Sequence, residues 1–412
     1  MAFLRTVSTP RLLALIVAGV IVAGGGTAIA VAAGSGGPVP VAEPLAQAVH
    51  GALGAPPITG ISARISFTNH LISSDDLGQV SSPLLAGASG RLWLSTDHQL
   101  LRLELQGDNG DAQIVVDGQS FWVYDPSSNT VYRGQLPAEK AGHVQSAARS
   151  GSTASAPDTI PSIAQIQNEI TNLGTHLDLS GAIPGDVAGQ PTYSVRVSPQ
   201  HDGGLLGAAE IAVDAIHGVP LQFSVYATGD SSPVLELTAT DISYGPVAAS
   251  YFAVSPPAGA KVVSVTVPGG GSKSKLAHGK LSRAKRHTVT GPAAVAAGVH
   301  FALADPATLA GLPRRSVRLL DWGGSPAALV TYGQNLGGIA VIEQTASSTA
   351  NASSAHSGHQ GLELPTVQIN GVTADELDTA LGTMIRFTRS GVAYTVLGSV
   401  PPVAAEAAAR GL

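Results

Sequence analysis

Apolar residues recur at every second position through much of this chain. Ala63, Ile65 and Phe67 alternate with polar neighbours, and so do Leu92 and Leu94, Leu101, Leu103 and Leu105, Tyr193, Val195 and Val197, Leu221, Phe223 and Val225, and Leu235, Leu237 and Ala239. Successive side chains of a strand point to opposite faces, so this period predicts antiparallel strands with one buried and one wetter face. Turn-forming clusters separate them: TDH at 96–98, GDNGD at 107–111, DG at 117–118, DPSSN at 125–129 and HDGG at 201–204. Such short spacings predict consecutive hairpins. One strand breaks the alternation. In 119–125, Phe121 and Val123 point one way and Trp122 and Tyr124 the other, which predicts cover on both faces. A helix-period stretch, DTIPSIAQIQNEITNLG, sets Ile160, Ile163, Ile166, Ile170 and Leu173 on one stripe between Pro161 and Gly174. An amphipathic helix inside a β region is suited to close over the concave face of a curved sheet.

Composition supports this mainly β (α+β) reading. Charged residues make up only 12% of the chain, and 49 Gly and 27 Pro supply turns. At 412 residues the chain is long enough for two or three units, each with its own core. Cysteine is absent, which excludes thiolate catalysis, Cys-ligated zinc and disulfides. A net charge of −6 is too mild to imply a partner.

The pattern also divides the chain. Residues 1–11 carry Arg5 and Arg11, and 12–33 are uncharged and long enough to cross a bilayer, which predicts a cytoplasmic N-terminus and a membrane helix. Ala28-Ile29-Ala30 has the form that signal peptidase accepts, so the segment reads as a signal-anchor or as a cleaved signal peptide. The rest is then a single-pass protein's extracytoplasmic part, or is secreted. Residues 34–44 form a Gly/Pro-rich stalk, and 45–263 the strand-rich domain, opening on a short helix at 45–53. Residues 264–292 read as a Gly/Ser and basic linker that holds Lys273, Lys275, Lys280, Arg283, Lys285 and Arg286. These six are either a solubilising spacer or contacts to anionic lipid headgroups or wall polymers. Residues 293–412 form a small α+β C-terminal domain, with strands near 326–333, 338–345 and 366–370, a hairpin through Arg389-Ser390-Gly391 and a closing helix.

No catalytic pattern emerges. There is no G-x-S-x-G elbow, P-loop, Rossmann glycine fingerprint or H-E-x-x-H. His356 and His359 lie in a Ser/Ala-rich loop without a nearby carboxylate, and Asp108, Asp111 and Asp117 fall at hairpin turns, where Asp serves the backbone. No metal, cofactor or nucleic acid is implied, and the chain reads as a binder, not an enzyme. The clustered aromatics are either structural core or ligand-cavity lining. As cavity lining we take Trp93, Phe121, Trp122, Tyr124, Ile163, Ile166, Ile170 and Phe223.

Three stretches, GRLWLSTDHQLLRLEL (90–105), IVVDGQSFWVYDPSSNTVYR (114–133), and HGVPLQFSVYA followed by DISYGPVAASYFAVSPPAGAKV (217–227, 241–262), resemble the LolA/RseB superfamily of envelope proteins. The resemblance implies an unclosed antiparallel β-barrel with a helical lid, whose hydrophobic cavity takes a lipid or a lipoprotein acyl chain. It also implies a cavity-facing Arg, for which Arg64 and Arg91 are both candidates. ALVTYGQNLGGIAVIEQ, VQINGV and GVAYTVLGSVPPVAAEAAARGL resemble a C-terminal domain of unknown function from Gram-positive membrane-anchored envelope proteins. RseB also appends a second domain, so an envelope-stress sensing module that acts through a membrane partner protein is the alternative.

Overall fold

Period-two segments become strands in the computed structural model, which describes residues 37–72, 83–107, 110–136, 160–200, 203–266, 289–322, 325–346 and 364–412. Helix α1 (Leu45–Gly54) precedes β1 (Gly60–Asn69), and the one-turn helix α2 (Pro83–Ala86) leads into β2 (Ala88–Ser95). A meander follows: β3 (Leu100–Leu105), β4 (Ala112–Asp117), β5 (Ser120–Asp125) and β6 (Thr130–Gln135). After helix α3 (Ile163–Leu173) come β7 (Leu177–Leu179), β8 (Ile183–Val187), β9 (Gln190–Pro199), β10 (Leu206–Asp214), β11 (Pro220–Ala227), β12 (Leu235–Tyr244) and β13 (Lys261–Thr266). The last of these reaches into the start of the expected linker.

These strands form a 13-stranded sheet in the order β13-β6-β5-β4-β3-β2-β1-β12-β11-β10-β9-β7, with β8 also paired to β9. β13 on β6 is the parallel pair among otherwise antiparallel neighbours. The chain leaves β12 in mid-sheet and returns at the far edge, so it must cross one face to get there. Tyr251 marks the crossing: its ring stacks on Trp93 at 5.3 Å and its carbonyl accepts from Arg102 at 3.1 Å. The sheet curls strongly enough that β8 comes back into contact with β12 across the three strands between them.

One face of this curled sheet holds the core. Ile61, Ala63, Ile65 and Phe67 of β1 lie beside Leu94 of β2, Leu101, Leu103 and Leu105 of β3, Ala112, Ile114 and Val116 of β4, and Leu221, Val225, Leu235 and Ala239 beyond. Each buried leucine side chain contributes about 2 kcal/mol through removal of apolar surface from water.

The C-terminal unit starts with α4 (Pro292–Ala296) and forms its own eight-stranded sheet. Its strands are β14 (Thr308–Leu309), β15 (Leu312–Trp322), β16 (Ser325–Tyr332), β17 (Ile339–Thr345), β18 (Thr366–Ile369), β19 (Val372–Thr379), β20 (Gly382–Arg389) and β21 (Val392–Gly398), in the order β14-β15-β16-β17-β21-β20-β19-β18. Helix α5 (Pro402–Arg410) packs on β20 and β21 through Ala405, Ala408 and Ala409, which join Val330, Val341, Ile385 and Val396 in a second core. Pro402 opens this helix at a position that tolerates a missing N–H, and Gly411 caps it.

Among the described residues no helix is long and apolar enough to cross a membrane. The expected membrane segment at 12–33, the basic residues Lys273, Lys275, Lys280, Arg283, Lys285 and Arg286, and His356 and His359 lie outside the described residues.

Candidate functional site

The apolar face of the curled first sheet carries its core, and we term this face the trough. Its middle is closed by full burial, but Leu92, Phe121, Val123, Phe223 and Leu237 pack against the core while remaining half-buried. Phe121 pairs across strands with Gly134, and a Cβ on that glycine would fall 2.8 Å from the Phe121 ring and 2.6 Å from the Val265 carbonyl. Gly134 thus gives the ring its place: the missing side chain lets Phe121 lie flat over the β6 backbone.

Strand register divides the candidate cavity residues between two faces. Phe121 pairs with Val116, and Phe223 with Leu237, which pairs with Phe67; all lie on the trough side. Trp93 pairs with Arg102, Arg102 with Val115, and Val115 with Trp122, so these lie on the opposite face. Tyr124 follows Trp122 there by the alternation of the strand. The crossing segment explains the burial of Trp93, which stacks on Tyr251 and has the Arg102 guanidinium 5.1 Å from its ring. Arg102 is also ion-paired to Glu104. Arg64 and Arg91, adjacent to one another in register, are exposed on this outer face, so neither faces the trough. Asp111 and Asp117 sit at hairpin ends, as turn chemistry requires.

Helix α3 is anchored by a capping box: Ser162 Oγ accepts from Gln165 N, and the Gln165 side chain accepts from Ser162 N. It packs on α1, with His50 Nδ1 2.9 Å from the Pro161 carbonyl, and buries Ala46, Ala48 and Ile166. Ile163 keeps 46% of its surface exposed and Leu173 47%, and Ile170 is half-buried. Among the described residues, neither helix contributes a side chain to the sheet's core cluster. The stripe is only partly covered: Ile166 is buried where α3 meets α1, whereas Ile163 and Leu173 stay exposed, because the helix pair packs on itself and not squarely on the sheet.

A buried polar cluster, which the sequence reading did not anticipate, pins this end. Asp214, fully buried at the end of β10, accepts from Tyr244 Oη at 2.5 Å, from Ile216 N at 2.7 Å and from His217 N at 2.9 Å, with His217 Nδ1 also at 2.9 Å. The His217 and Tyr244 rings stack at 3.8 Å. Burial pushes the Asp214 carboxyl upward, but the bonds from Tyr244, His217 and Ile216 outweigh it and hold the group below its ordinary value. Burial and the adjacent carboxylate together push the Tyr244 phenol far up. Gly218, at positive φ in the same turn, leaves no room for a Cβ against the Ala52 carbonyl of α1. The turn therefore fixes the helix pair to the sheet. Asp followed three residues later by His-Gly was the available signal, readable as a side-chain-capped turn.

No family model and no curated protein matches this chain. Solved structures do. The chain is similar in fold to MucB and to LolA-superfamily proteins. The structure of the Pseudomonas aeruginosa MucA/MucB complex aligns over 89% of this chain and 94% of its own, at 14% identity and a TM-score of 0.36. A LolA superfamily protein of Nitrosomonas europaea aligns over 52% of this chain and 99% of its own, at 10% identity and a TM-score of 0.20. A putative outer membrane lipoprotein-sorting protein domain from Vibrio parahaemolyticus covers 48% of this chain and 90% of its own, at 11% identity and a TM-score of 0.17. At these values the likeness is one of fold, and no ligand or partner follows from it.

Proposed function

We propose that this protein is an extracytoplasmic binding protein, tethered at the cell membrane by residues 12–33 or released by their cleavage, that holds a lipid or a lipoprotein acyl chain in the trough of its first sheet. The observation that carries this reading is the half-buried apolar wall of Phe121, Val123, Phe223 and Leu237, continuous with a fully buried leucine-rich floor. Burial is enough to bind such a ligand: each methylene taken out of water is worth about 0.8 kcal/mol, and no covalent step is needed. The wall offers a long hydrocarbon chain many carbon contacts and no charge to desolvate.

Titration with dansyl-undecanoic acid tests it. Binding with a blue-shifted emission, abolished by Phe121→Asp or Phe223→Asp and retained by Trp122→Ala, is the expected result. A probe that binds nowhere, or that responds equally to changes on both faces, refutes the trough.

A second reading, a regulatory module that acts through a membrane partner protein, is favoured by one feature. Ile160, just before α3, and Ile163 and Leu173, at its two ends, stand exposed, apolar side chains that a protein partner lying along the helix would cover. MucB has been solved in complex with MucA. Crosslinking from position 163 in native membranes, yielding a reproducible protein adduct, would favour this reading over the lipid one.

A further inference from the structure

The hairpins of the C-terminal sheet do not all end alike. The β18–β19 and β20–β21 hairpins turn through Asn370-Gly371 and Ser390-Gly391, with both residues of each pair at positive φ, the usual chemistry of a two-residue loop in water. The β19–β20 hairpin instead turns through Ala380-Leu381, neither at positive φ. Thr379 supplies what the tip lacks: its Oγ1 donates to the Gly382 carbonyl at 2.7 Å and accepts from Leu381 N at 3.3 Å. An apolar tip held by a side-chain clamp is poorly suited to solvent.

It does not face solvent. Ala380 and Leu381 both pack against the apolar cluster of the first sheet. Ala380 N donates to the Leu71 carbonyl, just beyond β1, at 2.8 Å. Ser399 completes the junction: its carbonyl and its Oγ each lie 3.0 Å from Leu205 N, at the entry to β10, and its Oγ donates to the Leu381 carbonyl at 2.8 Å. The tip thus enters at the end of the trough formed by the close of β1 and the start of β10, away from the Gly218 turn that fixes α1.

We propose that the Ala380-Leu381 tip is a plug for the trough, so that docking of the C-terminal sheet and occupancy by an apolar chain compete. The inference rests on the binding reading above and deepens it, by giving the C-terminal sheet control over access. The ties lie in turns and at strand ends, in keeping with a junction that opens without unfolding either sheet. When the sheet is docked, Leu381 fills surface that a long hydrocarbon would occupy; when it undocks, that surface is released. A ligand that prefers the undocked arrangement shifts the population toward it, and the C-terminal sheet is freed to meet another partner.

The chain has no cysteine, so an engineered pair reports without background. A Cβ built on Gly204 lies 2.8 Å from Leu336 Cβ, with Gly204 outside the left-handed region. A relaxation of roughly 1 Å in two turns brings this pair to disulfide geometry. In the full-length double variant Gly204→Cys/Leu336→Cys, the oxidised form is expected to bind dansyl-undecanoic acid at least roughly tenfold more weakly than the same protein after reduction. Leu381→Ala in the unstapled chain is expected to bind it more tightly than the parent. Equal affinity in oxidised and reduced forms, with the disulfide verified by mass, overturns the plug and leaves the trough standing. A pair that resists oxidation overturns it as well, because the docked arrangement is then not populated. Failure of the reduced protein and of the parent chain to bind any probe refutes the binding reading instead.

Discussion

Glu343 offers a test of the C-terminal core that can be worked from its surroundings. It lies on the core face of β17, cross-strand from Ala328 and Tyr394, and is fully buried. Oε2 accepts from Ala304 N at 2.8 Å, while among the described residues neither Oε1 nor the buried Tyr332 hydroxyl has a hydrogen-bond partner. Burial pushes the carboxyl up from 4.5 to about 7; the Ala304 bond opposes this and the negative charge of Asp305 adds to it. Asp305 is itself paired with Arg314. For an acid whose folded value is raised, the unfolded chain ionises first. Stability is therefore full below about pH 4.5, falls through the window up to about 7, and stays low above it. At roughly 1.4 kcal/mol per pH unit, the ionised group costs about 3 kcal/mol. Glu343→Gln keeps an oxygen for Ala304 N and removes the ionisation. The variant should match the parent at about pH 4 and exceed it by about 3 kcal/mol at about pH 8. Urea titrations at both pH values, read by hydrogen exchange in β16, β17 and β21, measure this. Parallel pH dependences in parent and variant would show that Glu343 is not the buried acid described.

Four further outcomes are expected. Asp214→Asn should lower stability by about 2 kcal/mol at pH 7, because hydrogen bonds to a buried charge are lost. Since the folded value of Asp214 lies below its unfolded one, its contribution is present above the unfolded value and fades as pH falls through the folded one. The gap between parent and variant melting temperatures should close in acid, and a constant gap would count against the charged cluster. Leu103→Ala, in the fully buried floor of the trough, should cost about 3 kcal/mol in denaturant unfolding, and a loss below about 1 would mean that the core collapses around the gap. Ser162→Ala should cost about 1 kcal/mol, seen as faster exchange at the start of α3, with unchanged protection there refuting the capping box. Gly134→Ala should displace Phe121 or the parallel β13, since the added methyl would meet both the ring and a backbone carbonyl; wild-type exchange rates in β13 together with an unchanged probe affinity would contradict that packing.

Much of the first sheet is legible because its chemistry is local. Alternation in Leu101, Leu103 and Leu105 names the buried face, and DG at 117–118 and DPSSN at 125–129 name the turns; each signal lies within a few residues of what it specifies. The double-sided strand Phe121 to Tyr124 was also readable, but its explanation was not. Trp93 and Arg102, on the outer face, are met by a segment more than a hundred residues downstream, and nothing local to Trp93 records that crossing. The helix stripe misled for a related reason. Its period fixes which residues share a face, whereas whether that face meets a sheet, a second helix or water depends on where α1 lies, and α1 is placed by the Gly218 turn. β15 escaped notice because Arg314, Arg315 and Arg318 interrupt its apolar alternation, at a bulge that the register places between Arg314 and Ser316. The Ala380-Leu381 tip shows the converse. A hairpin that lacks Asn, Asp or Gly at its turn reads locally as a flaw, and the pairing of β19 with β20 turns that flaw into a statement about a surface elsewhere. Residues that violate local rules, Glu343 in an apolar strand and Leu381 at a turn, are the ones whose reasons lie at long range, and they carry the sharpest tests of how the two sheets work together.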